Sequence, residues 1–201
     1  MYNSAKKHFK KSDPILFGIA KKAGKIEEMK QKEPEEYFFY LCRSIVTQQL
    51  SVKAARKIFE RFLTLFPEDK ITTKHLLTLP DQNIRNIGTS WSKVSYIKDL
   101  ASKVENKEVS LEKLPTLEDK KVIEELVKVK GIGAWTAEMF LIFSLGRKDV
   151  FSTGDLGLKR AIEKHYNIKD PSKERLEKIS AKWSPYRSYA CKILWNSLDN
   201  E

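Results

Sequence analysis

The stretch Leu126-Val-Lys-Val-Lys-Gly-Ile-Gly-Ala-Trp-Thr-Ala137 sets two glycines one residue apart between two amphipathic segments. Glycine reaches backbone conformations closed to other residues and carries no side chain to hold a neighbour off. Gly131 and Gly133 therefore permit a tight turn that another surface can approach closely. Amides around Ile132 and Gly133 then open the following helix, where orphan N–H groups and the helix dipole favour a phosphate. A helix–turn–helix corner that binds nothing satisfies a bare Gly-x-Gly equally well. One helix and a short loop further on, Asp155 begins Asp155-Leu-Gly-Leu-Lys-Arg160. An acidic residue there is ordinarily an N-cap. It is also a carboxylate whose ionised form helix-start donors favour, able to stabilise developing positive charge or to orient water. Glu138 and Asp149 are nearby carboxylates that a helix surface and a loop explain without chemistry.

The elements that must position these residues read as helix after helix. Asp13-Pro14 is a cap followed by proline at the first helical position, with Gly24 as the stop. Pro34 opens a helix with an apolar stripe at Tyr37, Phe38, Leu41 and Ile45, ending near Thr47-Gln-Gln-Leu50. Ser51 caps a strongly amphipathic helix through Val52, Ala55, Ile58, Phe59, Phe62 and Phe66, closed by Pro67. Short helices are expected around Leu76–Leu79 and Ile84–Ile87, and Ser90 caps a longer one burying Val94, Ile97, Leu100 and Ala101. Helices flank the glycine turn, another follows Asp155, Ser172 starts a further one, and Ser184-Pro185 begins the last. This predicts an all-α protein of about ten helices, with no repeat and no low-complexity tract.

Charge points to a partner. Lys and Arg total 38 against 27 Asp and Glu, a formal net charge of +11, which suits a polyanion. Solubility alone is the competing explanation. No basic amphipathic segment stands apart from the core-forming helices, which speaks against a membrane surface, and no stretch reaches the roughly 18 apolar residues of a membrane span. The basic Met1–Lys11 segment precedes no apolar signal core. A cytoplasmic protein is expected. Cys42 and Cys191 sit far apart in apolar stretches, and His8, His75 and His165 are scattered, so no side-chain metal site and no disulfide are expected.

Gly131-Ile-Gly-Ala-Trp-Thr-Ala-Glu-Met-Phe140 followed by Asp155-Leu-Gly-Leu-Lys-Arg160 resembles the helix-hairpin-helix and Gly/Pro-rich-loop-Asp signature of base-excision DNA glycosylases. Thr47-Gln-Gln-Leu-Ser-Val-Lys-Ala-Ala-Arg56, Lys93-Val-Ser-Tyr-Ile-Lys-Asp-Leu-Ala101 and Trp183-Ser-Pro-Tyr-Arg-Ser-Tyr-Ala190 are similar, more narrowly, to the 3-methyladenine-DNA glycosylase II family. Val129-Lys130, Ser152 and Gly154 depart from the family pattern, in loop positions.

The resemblance implies a two-lobed helical bundle with the active site in a cleft between the lobes. Residues 1–33 would pack with a C-terminal lobe of 144–201, and 34–143 would form a central lobe with the helix-hairpin-helix at about 119–143. It implies a monofunctional glycosylase that flips alkylated purines, of 3-methyladenine and 7-methylguanine type, out of double-stranded DNA and hydrolyses the N-glycosidic bond. Asp155 is then the catalytic carboxylate. Trp135, Met139 and Tyr186 line the base pocket, and Gln48, Gln49 and Leu50 form the wedge that fills the vacated space, Gln49 matching best. The hairpin residues Lys130, Gly131, Ile132, Gly133 and Thr136 meet the DNA backbone. Trp135 stands where bifunctional members carry a lysine nucleophile, so no Schiff base and no strand cleavage are expected. No organic cofactor is implied, though the hairpin carbonyls can hold a monovalent cation, and a monomer is the expected state. A non-catalytic hairpin protein, or a glycosylase for another purine lesion, remain the alternatives.

Overall fold

The computed structural model describes residues 1–24 and 26–199, and among them no β-strand occurs. Twelve α-helices follow one another: α1 Tyr2–Ser12, α2 Pro14–Lys22, α3 Pro34–Thr47, α4 Val52–Leu63, α5 Thr73–Thr78, α6 Asp81–Asn86, α7 Trp91–Glu105, α8 Asp119–Leu126, α9 Ala134–Phe143, α10 Leu156–Tyr166, α11 Lys173–Ala181 and α12 Arg187–Asp199. Short 3-10 segments lie at Pro67–Asp69 and Leu111–Thr116. The all-α expectation holds. Caps set most boundaries: Asp13, Ser51, Ser90 and Ser172 each accept a backbone N–H of the turn they start, from Leu16, Ala54, Lys93 and Arg175. None of the helices is long and apolar enough to cross a membrane.

Two boundaries differ from the sequence reading. Helix α1 is not signalled by any cap side chain, because Met1 makes no such bond. Its apolar face is little more than Ala5 and Phe9, both fully buried, so packing rather than local pattern makes it a helix. The last helix starts at Arg187, not at Pro185. Residues before it close a separate turn, in which the Tyr186 amide donates to the Trp183 carbonyl at 2.7 Å.

The chain divides into two units, one of residues 1–31 with 141–201, the other of residues 32–140. The first is built on α1, α2, α10, α11 and α12, around Phe9, Leu16, Leu158, Ile162, Leu176, Trp183, Ile193 and Leu194. Burying each such large apolar side chain contributes about 1.5–3 kcal/mol. Gly146, with φ +63°, lets residues Lys30 and Gln31 cross it closely, since a Cβ there would lie 2.6 Å from the Lys30 carbonyl carbon. In the second unit α3, α4 and α7 bury Tyr37, Leu41, Ile45, Phe59, Phe62, Val94, Ile97 and Leu100, joined by Val122 and Leu126 of α8. Cys42 and Cys191 are both free and buried. Burial pushes each thiol up, so both serve as small apolar side chains.

Candidate functional site

Asp155 ends the loop that runs from α9 to α10. The loop is tied down well before it reaches the aspartate. Asp149 accepts Arg187 Nε at 2.8 Å and Nη2 at 3.1 Å, and Ser184 Oγ at 2.7 Å. The next amide, of Val150, donates to Ser188 Oγ at 3.0 Å, while the Ser188 amide donates to the Lys148 carbonyl at 3.0 Å. The start of α12 therefore holds residues 148–150 in place.

At the loop's end Asp155 is the N-cap of α10 and only 8% exposed. Its Oδ1 accepts the Leu158 amide at 2.8 Å and the Trp195 indole N–H at 3.0 Å. Gly157 keeps this corner tight, because a Cβ there would come within 3.1 Å of Oδ1 and 3.2 Å of the Trp195 ring. Trp195 stacks on Phe143 with centroids 5.6 Å apart and planes 28° apart. Lys192 Nζ lies 5.7 Å from the Phe143 centroid, and burial lowers its ammonium from the ordinary lysine value. Phe143 is 48% exposed, and Leu156, directly after the aspartate, 69%. An oriented carboxylate beside a half-exposed aromatic ring can stabilise positive charge that develops next to it. On α9, Trp135 and Met139 precede Phe143 at intervals of four and so share its face of the helix. Trp135 is 45% exposed.

The hairpin forms as the glycines demand. Helix α8 ends at Leu126, α9 starts at Ala134, and Gly131 takes φ +79°. A Cβ on Gly131 would sit 2.1 Å from Tyr96 Cδ2, so glycine is required by space as well as by conformation. Gly133 is exposed, whereas the Ile132 side chain is buried. The Lys130 amide donates to Asp99 Oδ2 at 2.8 Å, while its ammonium is largely exposed. Burial acts to raise the Asp99 carboxyl, but bonds from Lys103 and the Lys130 amide outweigh it and hold the group below its ordinary value. After α3, Gln49 is exposed and takes a left-handed φ of 54°.

Several expected roles change on this geometry. Gln48 does not point outward as a wedge: its Nε2 donates to the Gly131 carbonyl at 2.9 Å, which ties the turn to the hairpin. Thr136 is buried at 5% exposure, so at that position the backbone rather than the side chain is offered to a ligand. The Tyr186 ring, partly buried, packs against the core of the first unit near His8, Phe9 and Tyr189, with centroids 5.6, 6.5 and 6.4 Å away. Leu50 lines a shallow groove with Arg43, Val52 and Phe59. Trp183 is fully buried, and its indole N–H donates to Asp13.

Residues 42–185 match the HhH-GPD superfamily of base excision DNA repair proteins. The chain belongs to the HhH-GPD superfamily. A DNA-3-methyladenine glycosylase of Saccharomyces cerevisiae is 34% identical over 233 residues, which cover 96% of this chain and 79% of that protein. The crystal structure of a DNA-3-methyladenine glycosidase from Bacillus halodurans is 38% identical, with a TM-score of 0.79, covering 91% of this chain and 83% of that one. The Schizosaccharomyces pombe 3-methyladenine DNA glycosylase, in complex with abasic DNA, is 29% identical with a TM-score of 0.80, covering 96% and 95%. A Bacillus subtilis relative with a provisional name of the same kind is 34% identical over 173 residues, and the chain spans 60% of its length. The HhH-GPD match takes in the turn after α3, the hairpin and Asp155, but stops short of Trp195. Trp195 and Phe143 are functional candidates that sequence reasoning did not single out for the site. Nothing local signals them, since the indole reaches Asp155 only because α12 packs on α10.

Proposed function

We propose that this protein is a monofunctional DNA glycosylase that removes alkylated purines from double-stranded DNA as a first step of base excision repair. The observation that carries the reading is the Asp155 carboxylate, held by the Leu158 amide and the Trp195 indole beside the open Phe143 ring. An N3- or N7-alkylated purine is cationic, so it stacks well on electron-rich rings and its N-glycosidic bond is already weak. Once the nucleotide has swung out of the duplex, the base leaves with the bonding electron pair and becomes neutral. Positive charge passes to the sugar, where the Asp155 anion stabilises it. Water then adds at C1′ and gives up a proton, leaving an intact strand with an abasic site. Trp135 and Met139, on the same face of α9 as Phe143, extend the base pocket, whereas Tyr186 serves packing. Trp135 offers no amine where a Schiff base would form, so strand cleavage is not part of the reaction.

Gln49 is the residue assigned to fill the gap left by the flipped base. The hairpin amides around Gly131–Gly133 and the Lys130 ammonium are assigned to the DNA backbone. If a monovalent cation binds, carbonyls of the hairpin turn would hold it, and it would add positive charge for the DNA backbone. The protein acts as a monomer. To test the function, wild type and Asp155→Asn are incubated with methylated duplex DNA and the freed bases are separated by chromatography. The reading expects 3-methyladenine or 7-methylguanine from wild type alone, with strands intact until alkali is added. Duplex binding by both proteins with no base released by either would sink it in favour of a non-catalytic binder or another lesion.

A further inference from the structure

Lys93, Tyr96 and Asp99 lie three residues apart on α7 and so share one face of that helix. Each meets a different part of the second unit. Lys93 Nζ donates to the Val46 carbonyl at 2.9 Å and to the Gln48 carbonyl at 2.6 Å. The Tyr96 ring covers Gly131, and Asp99 Oδ2 accepts the Lys130 amide at 2.8 Å while Lys103 Nζ holds the same oxygen at 2.8 Å. The circuit is closed by Gln48, whose Nε2 reaches the Gly131 carbonyl at 2.9 Å.

The turn held in this way has two reasons to move if released. Carbonyls at the end of α3 have no partner within their own helix, and a cation placed there satisfies them and complements the helix dipole. Gln49 adopts φ 54°, a left-handed conformation that a side chain bearing a Cβ disfavours. Such a conformation persists only where the surroundings over-determine it. Burial lowers the Lys93 ammonium from the ordinary lysine value, as expected for a cation drawn out of water into the turn.

We propose that Lys93 is a positioning residue that locks the turn presenting Gln49 and, through Gln48, fixes that turn against the hairpin. Opening the duplex and gripping its backbone are then performed by one rigid piece mounted on α7. The proposal rests on the assignment of Gln49 as the wedge. It follows that loss of Lys93 impairs the step after binding, when the base is driven out of the stack, and leaves the grip on the duplex largely unchanged.

The experiment measures single-turnover base release from methylated DNA, as duplex and as single strands, with duplex affinity and thermal unfolding recorded for each variant. Lys93→Met keeps the length of the side chain and removes the donor. It is expected to slow release from duplex by about tenfold, the usual effect of losing a charge-assisted bond, with affinity and single-strand release changed less than about twofold. Gln49→Ala should show the same duplex-specific loss, and the double variant should be no slower than Gln49→Ala alone, because both changes disable one device. A duplex rate equal to wild type, an equal loss on single strands, or losses that multiply in the double variant each overturn the role of Lys93. A wild-type rate for Gln49→Ala overturns the wedge assignment itself and the proposal with it, so the two failures are distinguishable. Should Lys93→Met unfold early, Gln48→Ala decides, since it cuts only the tie to Gly131. It is expected to lose about threefold on duplex alone, and full activity there overturns the coupling.

Discussion

Two aspartates of the first unit are held in nearly the same way and are left in different conditions. Asp13 caps α2 and Asp155 caps α10, each accepting an amide of its helix's first turn, from Leu16 at 3.0 Å and from Leu158 at 2.8 Å. Each also receives a tryptophan indole N–H, from Trp183 at 2.9 Å and Trp195 at 3.0 Å. At Asp13 the donors are spread over both oxygens, and the Tyr166 hydroxyl adds a third at 2.7 Å on Oδ2. Burial, and then the bond to Asp13, push that hydroxyl up, so it stays a donor at any ordinary pH. Trp183 is itself enclosed by Phe151 and Tyr166. At Asp155 the indole and the amide both meet Oδ1, and the Trp195 ring stacks on the half-exposed Phe143. The same cap-plus-indole unit is walled in by further rings at Asp13 and stands beside a half-exposed ring at Asp155.

The comparison can be broken by exchanging the consequences of mutation. Asp155→Asn should reduce base release on the order of a thousandfold, while asparagine still caps α10, so stability should move by less than about 1 kcal/mol. Asp13→Ala should do the reverse. Stripping the partner from two buried donors and a cap should cost about 3 kcal/mol or more of unfolding free energy by urea titration, with activity per folded molecule retained. If Asp13→Ala silences excision in folded protein, the division of labour between the two sites is wrong. Trp195→Phe keeps the stack on Phe143 and deletes only the indole donor. Release should slow by about tenfold, and an unchanged rate would mean that the Leu158 amide suffices to orient the carboxylate.

The smallest effect concerns the clasp on the loop that leads to Asp155. At Asp149 burial acts to raise the carboxyl, but Arg187, Ser184 and the Arg187 amide outweigh it and hold the group below its ordinary 3.8. A carboxylate depressed by folding stabilises the protein above its unfolded value and loses that contribution as pH falls through the folded one. Asp149→Asn should therefore be less stable than wild type at neutral pH, and the gap should close below pH 3.8. A gap that is constant with pH would show that the clasp acts through shape rather than charge.

What could be read from the chain was local. Gly131, Gly133 and Asp155, and the caps at Asp13, Ser51, Ser90 and Ser172, announce themselves through residue type and near neighbours, because a turn or a helix start is settled within a few positions. Partners contributed from afar were invisible. Trp195 lies forty positions from Asp155, and a tryptophan in an apolar helix reads as core wherever it points. Gln48 looked like its neighbour Gln49 until the fold tied one to the hairpin and left the other exposed. Tyr186 belonged to a recognisable motif, yet α1, a helix with almost no local signature, supplies the rings beside it. The α7 face of Lys93, Tyr96 and Asp99 was present as spacing, but its targets come from α3 and the hairpin, and only the folded chain joins them.

The discontinuity of the first unit has a bearing on how the molecule is made. Residues 32–140 are one unbroken segment, whereas residues 1–31 must find 141–201. During synthesis from the N-terminus, α1 and α2 leave the ribosome first and are the last to be satisfied. Phe9, Leu16 and Ile19 have their partners only once α10 to α12 have emerged. The unbroken segment can complete its own core before the first unit has all its helices, which favours folding from the middle outward. The four lysines of α1, Lys6, Lys7, Lys10 and Lys11, keep that segment strongly charged until its packing partners arrive.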